Sequence, residues 1–163
     1  VVYDDGAAIG NTDQIQGDIP ANWKDSDTSL KGLVIGTSCT TIGSRAFYVC
    51  YNLTGSLVIP DSVTTIGDGA FDGVIFSNFT GLTIGKGVTS IGTYAFQGFS
   101  NLPAAYINCP ASSWIGTNAL QFTNILTNIY VHADYVAGYN AAWKSAQSTN
   151  ATVSTWSYYP NTP

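Results

Sequence analysis

A four-fold repeat in the middle of the chain limits what it can fold into. An Ile-Gly pair recurs at intervals of 24, 25 and 24 residues, at Ile42-Gly43, Ile66-Gly67, Ile91-Gly92 and Ile115-Gly116. A unit of this length cannot bury its own apolar face, and it becomes stable only when copies of it stack on one another. The sequence therefore predicts a solenoid in which each unit forms one coil.

Two further columns of residues keep the phase of this pair. A small residue and a larger apolar one follow each Gly by three positions, at Ala46-Phe47, Ala70-Phe71, Ala95-Phe96 and Ala119-Leu120. Another apolar residue follows each of these alanines by three or four positions, at Cys50, Val74, Phe99 and Phe122. This spacing predicts a short helical turn that packs on the core and is too short to be stable alone.

Upstream of each pair, the pattern predicts a short strand. The strand triplets are Leu33-Val34-Ile35, Leu57-Val58-Ile59, Leu82-Thr83-Ile84, Ala105-Tyr106-Ile107 and Ile129-Tyr130-Val131. Side chains alternate along a strand, so the first and third residues should point inward and the middle one outward. An earlier apolar column completes the interior, at Leu30, Leu53, Phe79, Leu102 and Leu126. We expect an α/β, β-rich, right-handed solenoid of about four to five coils, with parallel strands and short helical turns.

The repeated glycines predict a structural corner in each coil. They are Gly43, Gly67, Gly92 and Gly116. At such a corner the backbone either takes a positive φ or lies against the next coil, and a Cβ would obstruct both arrangements. No GxGxxG or Walker spacing surrounds them, which disfavours a ligand-binding role.

The fourth unit departs from the regular pattern around Cys109-Pro110. One alternative is a bulge at these residues, and the other is a shift of the strand register to Tyr106. The sequence leaves both alternatives open.

The repeat phrases resemble a known family. Segments 57–71 (LVIPDSVTTIGDGAF) and 82–96 (LTIGKGVTSIGTYAF) resemble the BspA-type leucine-rich repeat, a bacterial surface repeat. The resemblance covers about residues 30–131, and it implies a curved leucine-rich-repeat solenoid that is secreted or lies on a cell surface. It also implies a role in adhesion or protein binding, with no catalytic residues to carry over.

The two ends of the chain lie outside this match. Residues 1–29 show no coil phase, which leaves either an N-terminal cap or an extended arm that a neighbouring molecule could accept. Residues 30–131 form the solenoid within a single domain. The pattern over residues 132–163 predicts a C-terminal cap of the solenoid. This cap would contain a helix over about Tyr135 to Ala146, with Asp134 as its N-cap residue, and a later strand. The apolar face of this helix would consist of Val136, Tyr139, Trp143 and Ala146.

Composition limits the classes of partner. The chain has 163 residues, of which only 9% are charged, and its formal net charge is −5. Nucleic acids and anionic membrane surfaces require clustered Lys and Arg, whereas the five basic residues here are scattered. No apolar run is long enough to span a bilayer. We expect a secreted or cell-surface protein that binds no nucleic acid and does not insert into a membrane.

The cysteines and acidic residues suggest no cofactor, metal site or catalytic centre. Cys39 and Cys50 fall on core columns, which favours small buried side chains over a bridge between them. Cys109 stays free or pairs with another chain. A lone His132 supports neither a zinc site nor a catalytic triad, since no nucleophile motif accompanies it. Three acidic residues would hold Ca²⁺ only if they converged, and these are Asp61, Asp68 and Asp72.

The outward strand positions are the best candidates for ligand contact. They are Val34, Val58, Thr83, Tyr106 and Tyr130, and the column becomes aromatic toward the C-terminal end. The alternative is that Tyr106 and Tyr130 simply suit strands or pack beneath the C-terminal cap.

Three hypotheses about function follow from these patterns. We predict a non-enzymatic binding or adhesion module that recognises a host or neighbouring-cell protein or glycan through the strand face. One alternative is a structural subunit that assembles head-to-tail into a homo-oligomer or filament through its terminal segments. The least favoured alternative is a polysaccharide-active enzyme, because no Asp column repeats through the coils.

Three Asn-X-Thr sequons begin at Asn52, Asn78 and Asn150. They would accept glycans in a eukaryotic secretory pathway. However, Asn52, Asn78 and Asn101 each directly precede the apolar column that starts at Leu30, which predicts a ladder of Asn side chains at a tight turn.

Overall fold

The computed structural model describes residues 12–15, 17–74, 79–98, 102, 104–110, 114–121, 128–139, 147 and 152–156. Eleven strands lie within these residues: β1 (Thr12–Ile15), β2 (Gly32–Ile35), β3 (Thr41–Ile42), β4 (Gly55–Ile59), β5 (Thr65–Ile66), β6 (Phe79–Ile84), β7 (Ser90–Ile91), β8 (Ala104–Ile107), β9 (Trp114–Ile115), β10 (Asn128–His132) and β11 (Thr152–Trp156). Among the described residues, the one helix is a 3₁₀ helix over Ala133–Tyr135. The fold is therefore built almost entirely of strands and turns.

The strands form parallel sheets on two sides of a solenoid. One sheet has the order β11-β10-β8-β6-β4, a second has the order β3-β5-β7-β9, and β1 pairs with β2. Each pairing joins residues about one repeat apart, as in Ile42 opposite Ile66 and Ile66 opposite Ile91. The chain thus makes three complete turns between Ile42 and Ile115.

Inward columns from every turn form one continuous core. The first and third residues of the triplets in β4, β6, β8 and β10 are buried, and Leu57 lies opposite Leu82 in the ladder. Inside, the rings of Phe47 and Phe71 are stacked with centroids 5.0 Å apart, and those of Phe71 and Phe96 with centroids 5.3 Å apart. Trp23 meets Phe47 edge-on at 5.7 Å and ends this stack on the N-terminal side. Because the core is closely packed, truncation of a single buried side chain should destabilise it.

The predicted helical turns are in fact tight turns that pair between coils. The amide of Phe47 donates to the carbonyl of Ala70 at 2.8 Å, and the amide of Phe71 donates to that of Ala95 at 2.8 Å. Other amides of each segment donate to the carbonyl three positions back along the chain, as the amide of Ala70 does to the carbonyl of Gly67 at 3.3 Å. Backbones with positive φ interrupt each segment, at Arg45, Gly69, Tyr94 and Asn118. A helix cannot continue through such residues. The third side of the solenoid is instead a ladder of hydrogen bonds between coils.

The expectation that residues 1–29 lack a coil phase is wrong for the described part of the N-terminal segment. β1 pairs in parallel with β2, and Ile19 forms a parallel bridge with Ile42. The amide of Lys24 donates to the carbonyl of Ala46 at 2.7 Å, as in the later turns. Residues 12–15 and 17–27 therefore pack as a further coil on their own chain. Residues 1–11 lie outside the described part.

Two units carry an extra residue at different places. In the third, Thr80 of β6 is the extra residue, because the pairing passes from Gly55 opposite Phe79 directly to Ser56 opposite Gly81. The ladder is not continued from β2 to β4. In the fourth, Tyr106 stays in register with Thr83, so the register alternative is wrong. The extra residue lies between Ile107 and Trp114, since the offset to the preceding coil changes from 23 residues at Ile84 and Ile107 to 24 at Ile91 and Ile115.

The C-terminal cap begins differently from the predicted helix. His132, and not Asp134, is the N-cap, because its Nδ1 accepts the amide of Asp134 at 3.3 Å. The described start is 3₁₀, and residues 140–146 lie outside the described part. Tyr139 is buried as predicted, and its hydroxyl donates to the carbonyl of Cys109 at 2.9 Å. Tyr139 follows Ile115 by 24 residues, which is one repeat.

Gln147 closes the ladder on the third side. Its side chain is only 2% exposed, and its Oε1 accepts the amide of Leu120 at 3.0 Å. Its Nε2 donates to the carbonyl of Gly116 at 3.3 Å. In the preceding coil the equivalent amide, that of Phe96, donates to the backbone carbonyl of Ala119. The side-chain amide of Gln147 thus takes the place of the backbone peptide group that a following coil would provide.

Replacing Gln147 with Leu should lower the free energy of unfolding by about 2 kcal/mol, because the buried Leu120 amide loses its acceptor. Thermal unfolding followed by circular dichroism would measure the change. The matched control is Gln97→Leu, at a partly exposed turn position, which should leave stability nearly unchanged. Equal stability of the two variants would show that the amide of Gln147 has no closing role.

Candidate functional site

The outward residues of the long sheet form two parallel rows, which we call the strand face. The first row runs through Val58, Thr83, Tyr106 and Tyr130, which are successive partners in the ladder. The second row contains Ser56, Gly81, Ala104 and Asn128. Four of the five predicted contact residues therefore lie in one continuous row. The fifth, Val34, is 50% exposed but belongs to β2, which is not paired with β4.

The aromatic end of the first row has a defined geometry. The rings of Tyr106 and Tyr130 stack with centroids 5.2 Å apart and an interplanar angle of 16°. Both side chains are partly exposed, and Val58 at the other end of the row is 46% exposed. Parallel strands carry both tyrosines, so their orientation is set by the sheet and not by a loop. A pair of this kind offers a rigid aromatic contact at low cost in side-chain entropy.

The strand face contains no Asp, Lys or Arg in either row, although the chain is acidic overall. Several described charges lie on the turns, where Lys86 pairs with Asp61 at 3.5 Å and Arg45 pairs with Asp25 at 2.9 Å. The face therefore offers hydroxyl, amide and phenol groups without a net electrostatic field of its own.

The glycine column lies against the backbone of the preceding coil. A Cβ at Gly67 would lie 2.4 Å from the amide nitrogen of Ser44, and one at Gly92 would lie 2.4 Å from that of Asp68. Gly116 meets Thr93 in the same way, and Gly43 meets Ala21. The close approach of two backbones, and not a positive φ, requires glycine here.

All three cysteines are free and buried. Burial raises the pKa of Cys50 and that of Cys109 to about 11, and it also raises the pKa of Cys39. Such thiols stay protonated near neutral pH, so they are poor nucleophiles and poor metal ligands. Cys39 and Cys50 fill core positions, as their columns predict.

The acidic side chains mainly bind backbone of the next coil. Oδ1 of Asp61 accepts the amide of Lys86 at 2.9 Å, and Oδ1 of Asp68 accepts the amide of Thr93 at 2.8 Å. The amide and hydroxyl of Thr40 donate to Asp18, which lowers the pKa of that carboxyl. Across the described residues, His, Cys, Asp and Glu side chains form no group of three that could hold a metal ion.

The predicted Asn ladder is seen at one of its three positions. Nδ2 of Asn52 donates to the carbonyl of Thr28 at 2.7 Å, which joins two coils. Asn78, Asn101 and Asn150 lie outside the described residues. The exposed Asn52 thus has a structural partner in addition to its sequon.

These features define a class of protein, which is a parallel-strand solenoid repeat protein with an outward strand face. A family model for the BspA type Leucine rich repeat region matches residues 19–149 with six copies. The chain belongs to the BspA-type leucine-rich-repeat family. Comparison with curated proteins and with solved structures finds no match. No helix in the described part of the chain is long and apolar enough to cross a membrane.

Sequence reasoning missed the N-terminal coil and the closing role of Gln147. The N-terminal coil has Pro20 where the later coils have Gly, so the Ile-Gly signal is absent. The remaining signal is the spacing of Trp23 from Phe47, which equals one repeat. The residue type of Gln147 gives no indication that its side chain is buried, since polar residues seldom occupy a core column.

Proposed function

We propose that this chain is a non-enzymatic binding module of the extracellular space or a cell surface. In this proposal it recognises a host or neighbouring-cell protein or glycan through the strand face. The observation that carries the proposal is the continuous row from Val58 to Tyr130, which ends in the stacked tyrosine pair. Family membership supports it, because repeat solenoids commonly bind partners on extended faces.

Binding is favoured over catalysis by the use made of the carboxylates. Asp61 and Asp68 each bind a backbone amide of the neighbouring coil, so these carboxylates already have a structural role. Their removal should therefore weaken coil stacking rather than a reaction. A polysaccharide-active enzyme would need a pair of carboxylates that converge on one substrate bond.

The double variant Tyr106→Ala and Tyr130→Ala should weaken binding by about thirtyfold or more, because truncation of a hot-spot tyrosine costs ~2 kcal/mol or more. Protein and glycan arrays would identify the ligand, and titration calorimetry would measure the dissociation constant. The control is Tyr51→Ala, because Tyr51 is 42% exposed on a turn away from the strand face.

Thermal unfolding of the same variants separates recognition from stability. The double variant loses one ring stack, worth about 0.5–1.5 kcal/mol, so it should still fold. A dissociation constant that is unchanged in the folded double variant would reject the strand face as the contact surface.

The assembly alternative remains a separate proposal. Residues 12–15 and 17–27 pack on their own chain, so an N-terminal arm donated to a neighbour would come from residues 1–11, which include the apolar stretch Val1-Val2-Tyr3. Light scattering over a concentration series would distinguish the two proposals. Open-ended growth would favour the filament, whereas a stable monomer would favour the binding module.

A further inference from the structure

We infer that the ligand of the strand face is a neutral polysaccharide that lies across the strands, along the solenoid axis. This inference rests on the proposed function and names the chemical class of the partner. It depends on three properties of the face, which are its lack of charge, its polar groups and the spacing of its rows.

The lack of charge selects against charged partners. No Asp, Lys or Arg lies in the two rows from β4 to β10. An anionic glycan would find no cation there, and the formal charge of −5 on the whole chain would repel it. A basic peptide would find no anion in these rows either.

The polar groups match those of a sugar. Hydroxyl, amide and phenol groups of Ser56, Thr83 and Asn128, together with the two tyrosines, can exchange hydrogen bonds with sugar hydroxyls. The rings of Tyr106 and Tyr130 are stacked on each other, so each turns one face to the other and can offer a sugar its edge and its hydroxyl. No Arg or Trp lies in the two rows from β4 to β10, so the two tyrosines are the anchors that a ligand would use.

The spacing of the rows fits a regular polymer. Neighbouring strands of a sheet lie ~4.8 Å apart, and the centroids of Tyr106 and Tyr130 are 5.2 Å apart. A pyranose ring in an extended polysaccharide has a length close to this strand spacing. A chain of sugars along the solenoid axis would therefore place about one ring over each of Val58, Thr83, Tyr106 and Tyr130.

Affinity gel electrophoresis tests this inference with defined polymers. The neutral probes are hydroxyethylcellulose, laminarin and galactomannan, and the charged probes are polygalacturonate and heparin. We expect at least one neutral polymer to retard the full chain and the charged polymers to leave its mobility unchanged. Retardation by the charged polymers alone would overturn the inference.

Thr83→Asp is the sharpest variant, because it places a carboxylate in the row without removing a ring or a core contact. We expect it to weaken binding of the neutral polymer at least tenfold and to leave the melting temperature within a few degrees. The matched control is Thr37→Asp, at an exposed turn position outside the rows. Equal retardation of both variants would show that the polymer binds elsewhere.

The outcomes also separate this inference from the proposed function. A protein ligand that loses affinity in the Tyr106→Ala and Tyr130→Ala variant, without retardation by any neutral polymer, would reject the polysaccharide and keep the binding module. Failure of both protein and glycan arrays would reject both.

Discussion

Replacing Gly67 with Ala should destabilise the fold by about 3 kcal/mol, at the upper end of the usual range for overpacking. The added Cβ would lie 2.4 Å from the amide nitrogen and 2.7 Å from the Cα of Ser44. These are backbone atoms, so neither can move away by a change of rotamer. The amide of Gly67 also donates to the carbonyl of Ile42 at 2.8 Å, which ties the two coils at this corner.

The matched control for this variant is Gly81→Ala. Gly81 lies in β6 with a φ outside the left-handed region, and a Cβ there would have no atom within 4 Å. Thermal unfolding should show a melting temperature lower by roughly 6–12 °C for Gly67→Ala, and little change for the control. If Gly67→Ala melted with the control, the coils would not approach as closely as the structure shows. Ligand affinity of the folded Gly67 variant should be unchanged, since the residue lies off the strand face.

Replacing Phe71 with Ala should cost about 3–5 kcal/mol, which is the usual range for loss of a buried phenylalanine. Phe71 is fully buried and stacks on Phe47 on one side and on Phe96 on the other. The cavity would therefore lie between the coil of Phe47 on one side and the coil of Phe96 on the other. In a repeat protein, each coil is stabilised mainly by its neighbours, so damage in a central coil uncouples the two ends.

Chemical denaturation measures this effect. A loss of 3–5 kcal/mol is a large fraction of a typical total of about 5–15 kcal/mol, so the midpoint should fall strongly and the transition could become biphasic as the ends separate. The control is Tyr51→Ala, because Tyr51 is an exposed aromatic residue and its truncation should cost less than about 0.5 kcal/mol. A loss of similar size in both variants would contradict a continuous aromatic core.

Much of the fold is readable from the sequence because its signals are periodic. Residues such as Leu57 and Ile59 alternate with the outward Val58, and the same alternation returns one repeat later at Leu82, Thr83 and Ile84. A period-two pattern inside a longer repeat assigns both the buried side and the pairing partner. The predicted row of contact residues follows from this same alternation, although its role in binding remains a prediction.

The turn segments show where local patterns fail. The spacing of Ala70, Phe71 and Val74 is typical of one helical turn, and all three are buried as that spacing predicts. However, the amide of Phe71 bonds to Ala95 of the next coil instead of to its own segment. A local pattern specifies which side chains are buried, whereas the choice between bonds along the chain and bonds across coils depends on a neighbour that lies far away in sequence.

The ends of the solenoid depended on tertiary structure in the same way. Ile19 and Trp23 join the coil stack although the Gly signal is missing there, because Ile42 and Phe47 provide the surfaces on which they pack. Gln147 becomes a buried residue because the amide of Leu120 and the carbonyl of Gly116 need partners. The sequence by itself determined the repeat, the inward and outward columns and the family. Only the tertiary structure decided where the stack begins and how it is closed, because unsatisfied backbone groups and apolar surfaces at the ends select their partners through space.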